Sequence, residues 1–190
     1  LVNNAAIDPG GSTVVDMDPE LWHRVLDINL TGPMYLMKAS IPHMIKGGGG
    51  SIINIASLGG LRCLPGMPAY CSSKAGLIML TKQVALDFGP ARIRCNVVCP
   101  GGTRTEMLEK SLTPLKDVLQ TDIDSVFERI SSMVPLRRTA NPNEITGICC
   151  YLASDDSTFM TGSVLLLDGG AAIVDVSGAA VTNAGVKWGV

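Results

Sequence analysis

Three short apolar runs, separated by stretches of helical pattern, constrain this chain more than anything else in it. They are Ser51-Ile52-Ile53-Asn54-Ile55-Ala56, residues 92–98 and residues 164–167. Each is short and rich in β-branched or aliphatic residues, which favours strand over helix. The runs are near-continuous rather than alternating, as expected of strands buried on both faces of a parallel sheet. Parallel strands need crossovers, and the segments between them read as helices. Strand alternating with helix predicts an α/β fold built on a doubly wound parallel sheet.

The punctuation agrees. Leu1-Val2-Asn3-Asn4 reads as the end of a strand and Asp8-Pro9-Gly10-Gly11 as a loop. Asp18-Pro19-Glu20 starts a helix, with Asp as N-cap, Pro at the first helical position and an acid in the first turn. Leu21, Val25, Ile28 and Leu36 keep helical spacing after it. Pro33 lies within that pattern and has no N–H, so the carbonyl of Asn29 loses its helical partner and could hold a water. Gly47 to Gly50 form a flexible turn into the next strand. A helix is expected over 69–88, ended by Gly89-Pro90, and another over 143–153. Pro100-Gly101-Gly102 reads as a turn, and Thr113-Pro114 as a helix N-cap with Pro at the first position.

The chain has 190 residues, 46% of them hydrophobic, and a net charge of −2. That is one domain's worth of chain. No run approaches the roughly 20 apolar residues of a membrane helix. No basic stripe or tail favours nucleic acid or an anionic membrane, so neither is expected as a partner. The six cysteines, at 63, 71, 95, 99, 149 and 150, lack a paired Cys-x-x-Cys pattern. They read as small apolar residues of a reducing, cytoplasmic protein, and no metal site is expected. Cys71 could be reachable and oxidisable. His23 and His43 read as surface or packing residues.

Chemistry is carried by Tyr70 and Lys74, one helical turn apart, and by Ser57, 13 residues before Tyr70 at the end of an apolar run. Residues i and i+4 lie one above the other on a helix. An ammonium beside a phenol is expected to lower the Tyr70 pKa toward working pH. A Ser57 hydroxyl at a strand end could hold a substrate oxygen while Tyr70 moves the proton.

These residues fall in order with others. Asn3-Asn4-Ala5, Asp27-Ile28-Asn29-Leu30-Thr31-Gly32, Ser57, Tyr70-Cys71-Ser72-Ser73-Lys74, Pro100-Gly101 with Thr103 and Thr105, and Asp168-Gly169-Gly170 together resemble the short-chain dehydrogenase/reductase family. The resemblance covers 1–170. It implies a Rossmann-like fold, and a catalytic tetrad of Asn29, Ser57, Tyr70 and Lys74. It implies NAD or NADP as cofactor and hydride transfer between a secondary alcohol and a ketone. Tyr70 would be the acid or base, Lys74 would also bond the nicotinamide ribose, and Asn29 would hold a relay water. Asn4, Pro100, Gly101, Thr103 and Thr105 would contact the cofactor. Ala6 departs from the family, which has Gly there. No Gly-rich dinucleotide fingerprint precedes the tetrad, so the first βαβ half of the family fold is expected to be absent.

Residues 107–133 read as an apolar lid for a small hydrophobic alcohol or ketone, or as a face packed on the domain or on another subunit. Residues 171–190 form an extension beyond Asp168-Gly169-Gly170, read as a subunit-docking arm or a loose tail, and a homo-oligomer, dimer or tetramer, is expected. Two other functions stay open. One is a non-catalytic fragment that assembles with intact relatives. The other keeps the fold and cofactor but epimerises or dehydrates.

Overall fold

The computed structural model describes residues 1–175, 177–179 and 185. Four parallel strands lie in the order β1 (Val2–Asn3), β2 (Gly50–Ile55), β3 (Ile93–Pro100) and β4 (Val164–Leu167). The register pairs Val2 with Ile53, Ile55 with Val98 and Cys99 with Leu166. Helices α1 (Pro19–Leu26), α2 (Gly32–Lys46) and α3 (Pro68–Phe88) precede the crossings to β2 and β3. Helices α4 (Glu106–Leu119), α5 (Ile123–Ser131) and α6 (Asn143–Ala153) follow β3.

Strand periodicity explains the layers. Successive side chains of β2 point to opposite faces. Ile52 packs with Met37 and Ile41 of α2 and with Val84 and Ala85 of α3. Its neighbour Ile53 packs with Leu152 and, around it, Ile145, Ile148 and Cys149 of α6. Both faces are therefore buried, which is why the run is apolar throughout. Asn54 is the exception, and it is fully buried. It accepts a bond from Asn3 Nδ2 at 2.7 Å and donates to Thr81 Oγ1 at 2.8 Å, which ties β1, β2 and α3 together through polar groups.

Between α1 and α2 the chain forms one π-helical turn over Asp27–Thr31. Pro33 has no N–H to give Asn29, and the Gly32 N–H reaches back to the Asp27 carbonyl, one residue further than in an α-helix. The expected helix is thus two helices joined by a π-helical kink. The turn into β2 follows the sequence reading: Gly48 and Gly49 have φ of 84° and 142°, and a side chain at Gly49 would meet the Arg92 carbonyl at 2.8 Å.

Residues 113–114 behave differently from expectation. Thr113 and Pro114 lie inside α4, and Thr105 caps it instead by accepting a bond from the Leu108 N–H. Thr113 turns its hydroxyl to the Glu109 carbonyl at 3.0 Å. A Thr-Pro pair satisfies the local rule for a helix start, but the helix starts earlier, at the Thr105 cap. Among the described residues, no helix is long and apolar enough to cross a membrane. His23 and His43 are both exposed, as are Cys63 and Cys150. Cys95 and Cys99 are buried, while Cys71 and Cys149 are half-buried. The proposed docking arm falls mostly on residues outside the described ones.

Candidate active site

The carboxyl ends of parallel strands are where ligands bind in folds of this kind. Ser57 follows β2 there, residues 100–105 follow β3, and Asp168 to Gly170 follow β4. Helix α3 brings Tyr70 and Lys74 to the same end.

Ser57 is placed by the tight turn Leu58–Gly60 behind it. Its hydroxyl accepts a bond from the Gly59 N–H at 3.0 Å and is hydrogen-bonded to the Tyr70 phenol. Its backbone N–H is bonded to the Cys99 thiol. Gly59 and Gly60 make the close approach possible. A side chain at Gly60 would meet the Lys74 carbonyl carbon at 2.8 Å, and one at Gly59 would stand 3.4 Å from both Ser57 Oγ and Tyr70 Cε1. Sequence reading missed this pair, although two glycines directly after a candidate catalytic serine were a visible signal.

Lys74 is 2% exposed, with Nζ donating to the Ile55 carbonyl at 2.9 Å and lying 5.7 Å from the Tyr70 ring centroid. Burial pushes the ammonium down to about 8, opposed by the nearby Cys99 thiol. Burial likewise pushes the Tyr70 phenol above its ordinary value; the Ser57 hydrogen bond opposes this, and Asp8 adds to it. The expectation that Lys74 lowers the Tyr70 pKa is therefore corrected. The ammonium is turned to a backbone carbonyl, and loss of water dominates at both groups.

Asn29 sits in the π turn and is fully buried. Its side chain is clamped to the backbone of Ile7, accepting from the Ile7 N–H at 2.8 Å and donating to the Ile7 carbonyl at 2.9 Å. It also donates to Ser73 Oγ at 3.1 Å, and Ser73 donates to the Tyr70 carbonyl at 2.7 Å. A continuous chain of bonds thus runs from the loop after β1 through the kink to the first turn of α3. Ile7 was not singled out from sequence, and Asp8 and Ser73 were read only as parts of a loop and of a motif.

The remaining expected contacts are less uniform. Asn4 is exposed. Gly101 packs so closely on Asp168 that a side chain there would meet its Cα at 2.8 Å. Thr103 Oγ1 donates to the Gly101 carbonyl at 3.2 Å, and Thr105 spends its hydroxyl on capping α4. A cavity of about 760 Å³ opens beside the site, lined by Leu58, Gly102, Ile130, Val134, Leu136 and Leu167 among others. Leu58, the residue after Ser57, lines it; Ser57, Tyr70, Lys74 and Asn29 do not.

A nicotinamide nucleotide is tested by the donors present. The Lys74 ammonium has three N–H groups, and one goes to Ile55. The others suit a ribose hydroxyl beside Tyr70, so the residues fit that part of the cofactor.

A model of the family described as enoyl-(acyl carrier protein) reductase matches residues 1–172. Trans-4-hydroxycyclohexanecarboxylate dehydrogenase of Sinomonas cyclohexanicum is 42% identical over 170 residues, which are 90% of this chain and 59% of that protein. Aldohexose dehydrogenase of Thermoplasma acidophilum, in ligand-free form, superposes with a TM-score of 0.85 at 34% identity, covering 93% of this chain and 68% of that one. L-sorbose reductase from Gluconobacter frateurii, complexed with NADPH and L-sorbose, gives a TM-score of 0.84 at 29% identity over 90% of this chain and 65% of that one. The chain spans about three fifths of the length of the first of these relatives.

Proposed function

Because the chain belongs to the short-chain dehydrogenase/reductase family, we propose that it is an NAD- or NADP-dependent oxidoreductase that interconverts a secondary alcohol and a ketone. The observation that carries this reading is the meeting of Ser57, Tyr70, Lys74 and Asn29 at one strand end, linked by side-chain and backbone bonds. When bound, the nicotinamide would accept or supply the hydride. The chain's own residues do the rest. Ser57 orients the substrate oxygen. Tyr70 gives that oxygen a proton in reduction or removes it in oxidation. Burial favours the protonated phenol, the form that donates to a ketone. Lys74 holds the ribose and keeps positive charge near the phenol. Asn29 holds the kink in place, so that a water on the Asn29 carbonyl can relay protons to Lys74.

Asn4, Pro100, Gly101, Thr103 and Thr105 complete the proposed cofactor contacts. Gly101 and Thr103 act through the backbone path that residues 100–105 trace, and Thr105 acts by fixing where that path enters α4. The cavity beside Leu58 would take the apolar body of a small hydrophobic substrate. Helices α4 and α5 would form the lid. We also propose a cytoplasmic homo-oligomer.

A second reading has one observation in its favour. Asn3 Oδ1 is buried without a hydrogen-bond partner among the described residues, on the edge strand β1. The strand that carries it, β1, lies at the edge of the sheet, and an edge strand suits a chain that assembles with another polypeptide. Nucleotide-dependent turnover by the wild-type chain separates the two, and replacing Tyr70 with Phe tests the role of that residue. In a screen of cyclic and aliphatic alcohols and ketones with NADH, NADPH and their oxidised forms, Tyr70→Phe should lower turnover at least about a hundredfold. Undiminished turnover would remove Tyr70 from the mechanism.

A further inference from the structure

Arg104 stands between the segment after β3 and the two helices that follow it. Its backbone belongs to that segment, and its N–H donates to the Ala140 carbonyl at 2.9 Å. The neighbouring Thr103 pairs with Ala140 in an isolated bridge. Its side chain leaves the segment altogether. The guanidinium bonds Glu109 of α4 through Nε at 3.1 Å and Asp124 of α5 through Nη2 at 2.6 Å. It also lies over the ring of Phe127, 4.7 Å from the centroid. Phe127 is 5% exposed, so the ring is fixed by packing.

One planar side chain therefore holds three partners on two helices at once. A single exposed ion pair contributes little. Here two carboxylates and a fixed aromatic face share the entropy cost of ordering one arginine, and stacking adds to the charge. Helices α4 and α5 meet at Gln120, a left-handed residue that ends α4, and Asp122, which caps α5. Arg104 spans that corner.

We propose that Arg104 is a positioning residue that locks α4 and α5 into one body and ties that body to the segment expected to carry the cofactor. Only its catalytic consequence rests on the oxidoreductase reading. Loosening the lock would weaken lid closure over substrate while leaving Ser57, Tyr70 and Lys74 in place.

The test is hydrogen–deuterium exchange on the full chain and its Arg104→Gln variant. Exchange in α4 and α5 should rise about tenfold, with β2 and β3 unchanged. Arg104→Lys should restore little of the protection, because an ammonium cannot engage two carboxylates in a fixed plane and stack as well. Asp124→Asn, at the exposed start of α5, removes one arm and should give a smaller rise in the same helices. In turnover, Arg104→Gln should raise KM about fivefold with kcat within about twofold, a split that general destabilisation would not produce. Unchanged exchange in α4 and α5, or an equal rise throughout the sheet, would overturn the proposal. Wild-type chain that lacks nucleotide-dependent turnover, with the exchange result as expected, would count against the oxidoreductase reading and leave the lock standing.

Discussion

Lys74 carries a charge into a place that disfavours it. In the unfolded chain its ammonium holds its proton up to 10.5, and in the folded protein only to about 8. Between those values the unfolded chain binds more protons, so stability attributable to Lys74 rises with pH across that window. Below 8 the full cost of the buried cation is present, about 3 kcal/mol by the size of the shift. The buried thiols act oppositely. Cys99 is pushed up to about 11 and Cys95 to about 12, so their contribution falls as pH climbs above the ordinary thiol value of 9.0. A comparison of Lys74→Met with wild type cancels Cys95 but not Cys99, whose thiol is coupled to the Lys74 ammonium. Its stability relative to wild type should drop by about 3 kcal/mol between pH 7 and pH 10.5, read by urea denaturation. A difference independent of pH would mean that Lys74 titrates normally. A protein that keeps such a cation buried beside a phenol gives up stability at the spot where chemistry is proposed. The spacing of Tyr70 and Lys74 made their proximity legible in the sequence. It could not show that Nζ turns to the Ile55 carbonyl, because that depends on a strand 19 residues away.

At the scale of elements, the site depends on how closely backbones approach. The turn Leu58–Gly60 lies directly against α3, and Gly60 has no room for a methyl group between itself and the Lys74 carbonyl. Gly60→Ala should therefore cost about 1–3 kcal/mol of stability and displace Ser57 from Tyr70. Chemical denaturation measures the first effect; an unaltered midpoint would show that the turn has slack. The π turn at Asn29 is the second device. Pro33 made a break in the helix predictable from sequence, and the structure gives its form and its purpose in clamping Ile7. Strands β2, β3 and β4 and helices α3 and α6 were readable because their patterns are local. The Thr113-Pro114 start was misread because an earlier cap at Thr105 outranked it, and Arg104 was invisible because its partners are brought together only by the fold.

At the scale of the whole molecule, a parallel sheet covered by helices puts Ser57, residues 100–105 and Asp168 to Gly170 at one end. Large apolar side chains remain outside. Tyr35, Leu36, Met79 and Leu86 are more than half exposed on α2 and α3, and Phe159 is fully exposed before β4. Surfaces of that kind fit the proposed assembly into oligomers. Under the proposed function, this chain holds a nicotinamide nucleotide against Tyr70 and Lys74. Fluorescence titration of the folded 190-residue chain with NADH and with NADPH tests it most directly. Saturable binding of at least one of the two is expected, and the tighter would name the preferred cofactor. A folded sample that binds neither would contradict it.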